Sequence, residues 1–247
     1  MSGRRLGFGL FTLLMATLFV GLGLWQLQRR AEKHALVAAL NERLAAVPLP
    51  LPPPSQWSRL TRESDEFRRV RLVATYAHAP DAMVFSSGSG VREDVSGPGT
   101  WAFLPARLGS GETVVVNAGF VPNTMQDQSV EDRAVEPMMT GQPVTMTGYL
   151  RFPERPGLFT PSESLGMRLW FARDHLAMAS QLGWGTVAPF YVDLEAPMPA
   201  SGLPKPGPLS VHLTDDHLQY AITWFALAAV IAIAFAVWLR RQERMAS

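Results

Sequence analysis

The chain has 247 residues, 47% of them hydrophobic, and a formal net charge of +1. So even a balance leaves no basic footprint of the kind nucleic-acid binding requires. With no cysteine, disulfides, thiolate metal sites, a Cys-x-x-Cys copper chaperone and covalent c-type haem attachment are excluded.

The first predicted element is a membrane helix. Between Arg5 and Arg29 no residue is charged, and about 20 apolar residues suffice to cross a bilayer. The run closes on Trp25-Gln26-Leu27 and Arg29-Arg30 rather than on the small residues of a cleavage site. An uncleaved anchor over 6–28 behind a short tail, 1–5, is therefore expected. Ala31 to Val47 reads as an outward extension of that helix, with Leu36, Leu40 and Leu44 at every fourth position. Pro48-Leu-Pro-Leu-Pro-Pro-Pro54 ends it, because proline removes helix donors and favours extended chain. The segment 29–54 is thus expected to be a helical extension followed by a stiff linker.

Residues 55–196 are predicted to form a β-rich domain. Phe67, Val70, Leu72 and Ala74 interleave with polar residues, and Ala82 to Phe85 is a short second strand. Ser86 to Thr100 reads as a loop. Trp101 to Leu108 and Glu112 to Ala118 flank a Gly109-Ser-Gly111 turn. Further strands are expected at Val144 to Leu150, Met167 to Ala172 and Phe190 to Leu194, with a short helix over Arg173 to Leu182. Turns rather than crossover helices separate the strands, which favours antiparallel pairing over a parallel α/β sheet.

A proline-rich connector, 197–216, leads to a second span, 217–239, and a tail, 240–247. From Leu218 to Leu239 no residue is charged, and Arg240, Arg241 and Arg244 follow. Asp215 and Asp216 precede the span, so its C-terminal end is expected to be cytoplasmic. Two spans place both termini inside and the central domain outside, in the periplasm if the cell is bacterial. Arg29, Arg30 and Lys33 then stand on the disfavoured side. The expected class is an α+β membrane protein, with two transmembrane helices flanking a mainly antiparallel β domain that carries one small helix.

Familiar catalytic patterns are missing: there is no Gly-x-x-x-x-Gly-Lys-Ser/Thr, Gly-x-Gly-x-x-Gly or Gly-x-Ser-x-Gly. This argues against a membrane-anchored hydrolase. Asp174 in Arg173-Asp174-His175 is expected to cap a helix. Met138, Met139 and Met146 suit packing better than copper, and His34, His78 and His175 are scattered. His212 and His217 stand five apart, a weak metal-site spacing. His217 is the residue of most interest, because a neutral imidazole at a membrane boundary can ligate a metal. On a helix His217, Tyr220, Ala221, Trp224 and Ala228 share a side, and Ala228, Ala232 and Ala236 continue a small-x-x-x-small series. A porphyrin could place its iron on His217, its ring on Ala221 and Trp224, and its propionates near Arg29, Arg30 and Lys33. The alternatives are interfacial anchoring by Tyr220 and Trp224, alanines that pack the two spans together, and cations that snorkel or bind lipid phosphate.

Nearly the whole chain, to Trp224, resembles the Surfeit locus protein 1 family. The resemblance rests on Gly23-Leu-Trp-Gln-Leu-Gln-Arg29, Phe67-Arg-Arg-Val70, Val115-Val-Asn117 with Gly119 and Val121-Pro122, and Arg151 with Pro153-Glu154. It continues through Trp170-Phe-Ala-Arg-Asp174, Met178-Ala179, Pro189-Phe-Tyr191 with Asp193, and His217-Leu-Gln-Tyr-Ala-Ile-Thr-Trp-Phe225. Each piece is weak alone, and their order between two spans is specific. The chain departs from the family pattern at Ala118, Phe120, Asp216 and Ala74. What the resemblance implies is a non-enzymatic assembly factor of the bacterial inner membrane. It would help haem A pass from haem A synthase to the catalytic subunit of cytochrome c oxidase. His217 would be the iron ligand, with Tyr220, Trp224, Arg29, Arg30 and Lys33 supporting the haem between the two spans. The alternative it leaves is a haem-free scaffold that holds oxidase assembly intermediates.

Overall fold

Two helices carry the apolar runs. α1 spans Gly3–Ala45 and α5 spans His217–Arg244. Their mean hydropathies reach 2.0 and 2.4, and by length and composition each can cross a membrane. The computed structural model describes residues 3–89, 91–92, 94–123, 127–210 and 215–244.

The helices pack antiparallel along a seam. Among the less exposed residues of α1 are Gly9, Thr12, Ala16, Phe19, Gly23, Gln26 and Arg30. Among those of α5 are His217, Ala221, Trp224, Ala228, Ile231, Phe235 and Trp238. Both series step by alternating threes and fours, the 3.5-residue repeat that keeps one stripe facing its partner. The expected Ala228-Ala232-Ala236 row is therefore corrected: Ala228 is 8% exposed, while Ala232 and Ala236 face outward. Strict steps of four drift about 40° each around a 3.6-residue helix and leave the seam. Phe19 stacks on Trp224 at 5.5 Å, and Phe8 meets Trp238 at 4.9 Å. A Cβ at Gly23 would come within 2.5 Å of the Phe225 ring, so glycine is what lets that ring seat.

Residues 40–212 form a separate unit. Its elements are β1 (Leu49–Pro50), the single-turn α2 (Arg62–Asp65), β2 (Arg69–Tyr76), β3 (Ala82–Gly88), β4 (Ser96–Leu108) and β5 (Thr113–Pro122). They continue with α3 (Gln128–Val135), β6 (Val144–Arg151), β7 (Leu169–Trp170), α4 (His175–Leu182) and β8 (Val187–Ala196). The sheet runs β1-β2-β6-β8-β5-β4-β3-β7, and an extra β2–β4 pairing closes β2, β6, β8, β5 and β4 into a ring. Closure removes sheet edges. Most pairings are antiparallel, whereas β5–β8, β1–β2 and β3–β7 are parallel.

Inside the ring lie Val70, Leu72, Leu104, Val114, Val116, Met146, Leu150, Phe190 and Val192. The opposite faces of β4, β5 and β8 are buried too, where Phe103, Val115 and Tyr191 meet Trp170, Met178, Ala179 and Trp184. Strands buried on both faces read as continuous apolar runs.

Several expectations are corrected. The predicted loop 86–100 is strand at both ends, since β3 reaches Gly88 and β4 starts at Ser96. The predicted strand 167–172 shrinks to Leu169–Trp170, preceded by a 3-10 turn. Two more small helices accompany α4, namely α2 and α3, and Asp127 caps α3. The proline-rich segments are part of the domain rather than bare tethers. β1 pairs with β2, Trp57 Nε1 donates to the Pro52 carbonyl at 2.8 Å, and Lys205 bridges Phe120. Buried Arg92 donates to the Pro206 carbonyl at 3.2 Å and holds Asp94 at 2.7 Å.

Candidate functional site

Gln26, Arg30 and His34 follow one another at four-residue steps on α1, and each meets the start of α5. His217 Nδ1 lies 2.8 Å from Gln26 Oε1. An amide oxygen only accepts, so Nδ1 carries the hydrogen and donates. Nε2 keeps its lone pair in the neutral ring and has no hydrogen-bond partner among the described residues. One helical turn outward, Arg30 Nε donates to Asp215 Oδ2 at 3.1 Å, and His34 Nε2 lies 2.5 Å from the same oxygen. Asp215 Oδ1 accepts from the His217 backbone N–H at 3.1 Å. The His34 ring, then that N–H and the Arg30 guanidinium, hold the Asp215 carboxyl down at about 2. His217 is thus fixed at its backbone by its own helix and at its ring by α1.

The other expected residues are distributed around this pair. Ala221 is 1% exposed and fills the seam. Tyr220, one turn from His217, is 57% exposed and lies outside the seam rather than on its inner side. Trp224 is half-buried against Phe19. Arg29 pairs with Glu32 at 3.0 Å and points into the surroundings. Lys33 continues the row of Arg30. Gln26, His34 and Asp215 were missed as site residues. Their signal was available: Gln26 stands four before Arg30, where a polar residue interrupts an apolar stripe.

The remaining candidates resolve as structure. Asp174 caps α4 by accepting from the N–H groups of Leu176 and Ala177. His175 is fully buried, its Nε2 donates to the Ala188 carbonyl at 3.0 Å, and burial pushes its pKa down to about 4. Met146 lies in the core, with Met138 and Met139 packed against it. His212, the other half of the two-histidine spacing, lies outside the described residues. Among the described residues no three metal-ligating side chains cluster. Arg151 instead centres a buried polar network. It donates to Glu66 at 2.7 Å and to Asp193 at 3.3 Å, and Asp193 also accepts from Asn117 at 2.8 Å.

The sequence matches the SURF1 family over residues 13–229, a stretch that includes both Gln26 and His217. It is 30% identical over 252 residues to a SURF1-like protein of Monosiga brevicollis, covering 98% of this chain and 91% of that one. Surfeit locus protein 1 of Rattus norvegicus is 29% identical over 245 residues, which is 95% of this chain and 75% of the relative. The human protein of the same name is 29% identical over 241 residues, with 93% and 75% covered.

Proposed function

The chain belongs to the SURF1 family, and on that premise we propose that it is a non-enzymatic assembly factor for haem-copper cytochrome c oxidase. Its cargo is haem A, taken from haem A synthase and passed to the catalytic subunit. The observation that carries this reading is the state of His217, whose Nδ1 is engaged by Gln26 while the Nε2 lone pair is left for iron. Neutral imidazole is a common haem ligand. The donor set fits: one imidazole, an aromatic flank and cations at the same level.

The seam itself is full, because Ala221 is 1% exposed and Gly23 lies against Phe225. A haem would therefore be held at the rim of the helix pair by His217, with Tyr220 and Trp224 as its aromatic flank. Arg29 and Lys33 serve the propionates, and Arg30 does so while shared with Asp215. Bound iron supplies the chemistry of the mature oxidase centre; the chain's own part is to hold the ring and keep it from water. Asp215 and Asp216 before α5 and the arginines after it support a bacterial plasma membrane topology with cytoplasmic termini and an outer central domain.

Co-expression with haem A synthesis, purification and an absorption spectrum test this. A Soret band in the wild type that His217→Ala abolishes is expected; no band in the wild type contradicts it.

One observation favours a second reading, a haem-free scaffold. Asp215 already engages Arg30 and His34, and Glu32 already engages Arg29, so the chain supplies its own counter-charges. A His217→Ala strain that builds fully haem-loaded oxidase supports the scaffold.

A further inference from the structure

We propose that Gln26 is a positioning residue that selects which nitrogen of His217 meets a metal. This rests on the haem reading above and adds to it the residue that prepares the ligand. A neutral imidazole has two tautomers, and the hydrogen bond made by one nitrogen decides which other nitrogen is free. Gln26 Oε1, 2.8 Å from Nδ1, stabilises the Nδ1–H form and leaves Nε2 as the only ligating atom. Metal-binding histidines commonly have such an outer partner, and losing it typically costs 10–100-fold in metal affinity.

Three features make the contact a positioning device rather than an incidental one. First, Gln26 comes from the opposite helix, so the ring is oriented only when α1 and α5 are paired. Second, the backbone of His217 is held independently, since Asp215 Oδ1 accepts from its N–H at 3.1 Å. The amide therefore acts on the ring rather than on the start of the helix. Third, the acceptor is uncharged. The neighbouring carboxylate, Asp215, is occupied by Arg30, His34 and that N–H, so the ring donates to a carbonyl. An imidazole paired with a carbonyl is a weaker electron donor to iron than one paired with a carboxylate. Gln26→Glu should accordingly lower the potential of bound haem, and Gln26→Leu should free the tautomer.

A polar pair in a heptad seam can also fix helix register, and the test separates the two roles. Full-length protein labelled with ¹⁵N-histidine is placed in nanodiscs at alkaline pH, where imidazoles are neutral. The His217 resonances are identified by their loss in His217→Ala. The wild type and Gln26→Glu should show hydrogen on Nδ1 and a bare Nε2, and Gln26→Leu should show hydrogen on Nε2 or an exchanging mixture. Titration with ferric protoporphyrin IX should then give at least about tenfold weaker binding for Gln26→Leu and a lower potential for Gln26→Glu. A wild-type ring protonated on Nε2, or a Gln26→Leu tautomer unchanged from wild type, overturns the proposal whatever haem does. The expected tautomers together with no porphyrin binding by the wild type sustain the positioning role and refute the haem reading alone.

Discussion

Arg151 is buried with Glu66 and Asp193 around it and the Phe67 ring 4.5 Å from its guanidinium carbon. Removing one partner of such a network strands the others without water. Arg151→Ala should therefore cost about 3–5 kcal/mol, read as a lower urea midpoint for the full chain in detergent. His175 gives a pH signature. Its folded-state pKa of about 4 lies below the ordinary 6.5, so between those values the unfolded chain takes up a proton that the folded one refuses. Stability is complete above 6.5 and falls as pH drops through the window, at up to about 1.4 kcal/mol per pH unit. Burial raises Asp81 and Glu131, which gain stability as pH falls and so act in the opposite sense. Urea unfolding of wild type against His175→Gln isolates the histidine: the difference should shrink toward zero as pH falls from 7 to 5, and a constant difference contradicts it. Among single residues, Asp174 was legible because a cap is a local matter. For Gln26 only the polar interruption of an apolar stripe was legible; its meaning depends on a partner far along the chain that no local pattern names.

Elements were legible where one period ruled. The two apolar runs, the Gly109–Gly111 turn and α4 follow from spacing and composition. The first residues of β4, 96–100, and the connector did not, for a physical reason. That stretch, Ser96-Gly-Pro-Gly-Thr100, has the composition of a turn and starts exposed, so nothing local marks it as strand, and the connector looks like a linker until Lys205 is seen to bridge Phe120. Gly119 explains that contact. Its φ is +130°, and a Cβ there would run into the backbone of Lys205 and Pro206. Gly119→Ala should cost about 1–3 kcal/mol, measured as a fall in unfolding midpoint. In the helix pair, Gly23→Val should overpack Phe225 and weaken α1–α5 pairing by about 1–3 kcal/mol. Gly21→Val, with nothing within 4 Å of its Cβ, serves as the control. Titration with a denaturing detergent should separate the two variants, and equal behaviour would refute the seam.

At the scale of the whole molecule, a closed β domain and a membrane helix pair divide the work. The domain has a core of its own and a buried polar network centred on Arg151. The helix pair holds the residue with an uncommitted ligating atom. That division was visible in the sequence as two charge-free runs around a turn-rich middle, and the family signature named its setting. The inner arrangement of the pair was not visible, because an imidazole and an amide meet only after the chain returns to the membrane. The decisive measurement is the absorption spectrum of the full chain purified from cells making haem A, beside His217→Ala at equal protein. The account predicts a Soret band for the wild type that the variant loses while its β domain unfolds at the same urea midpoint. A wild type without the band, or a variant that keeps it unchanged, contradicts the account.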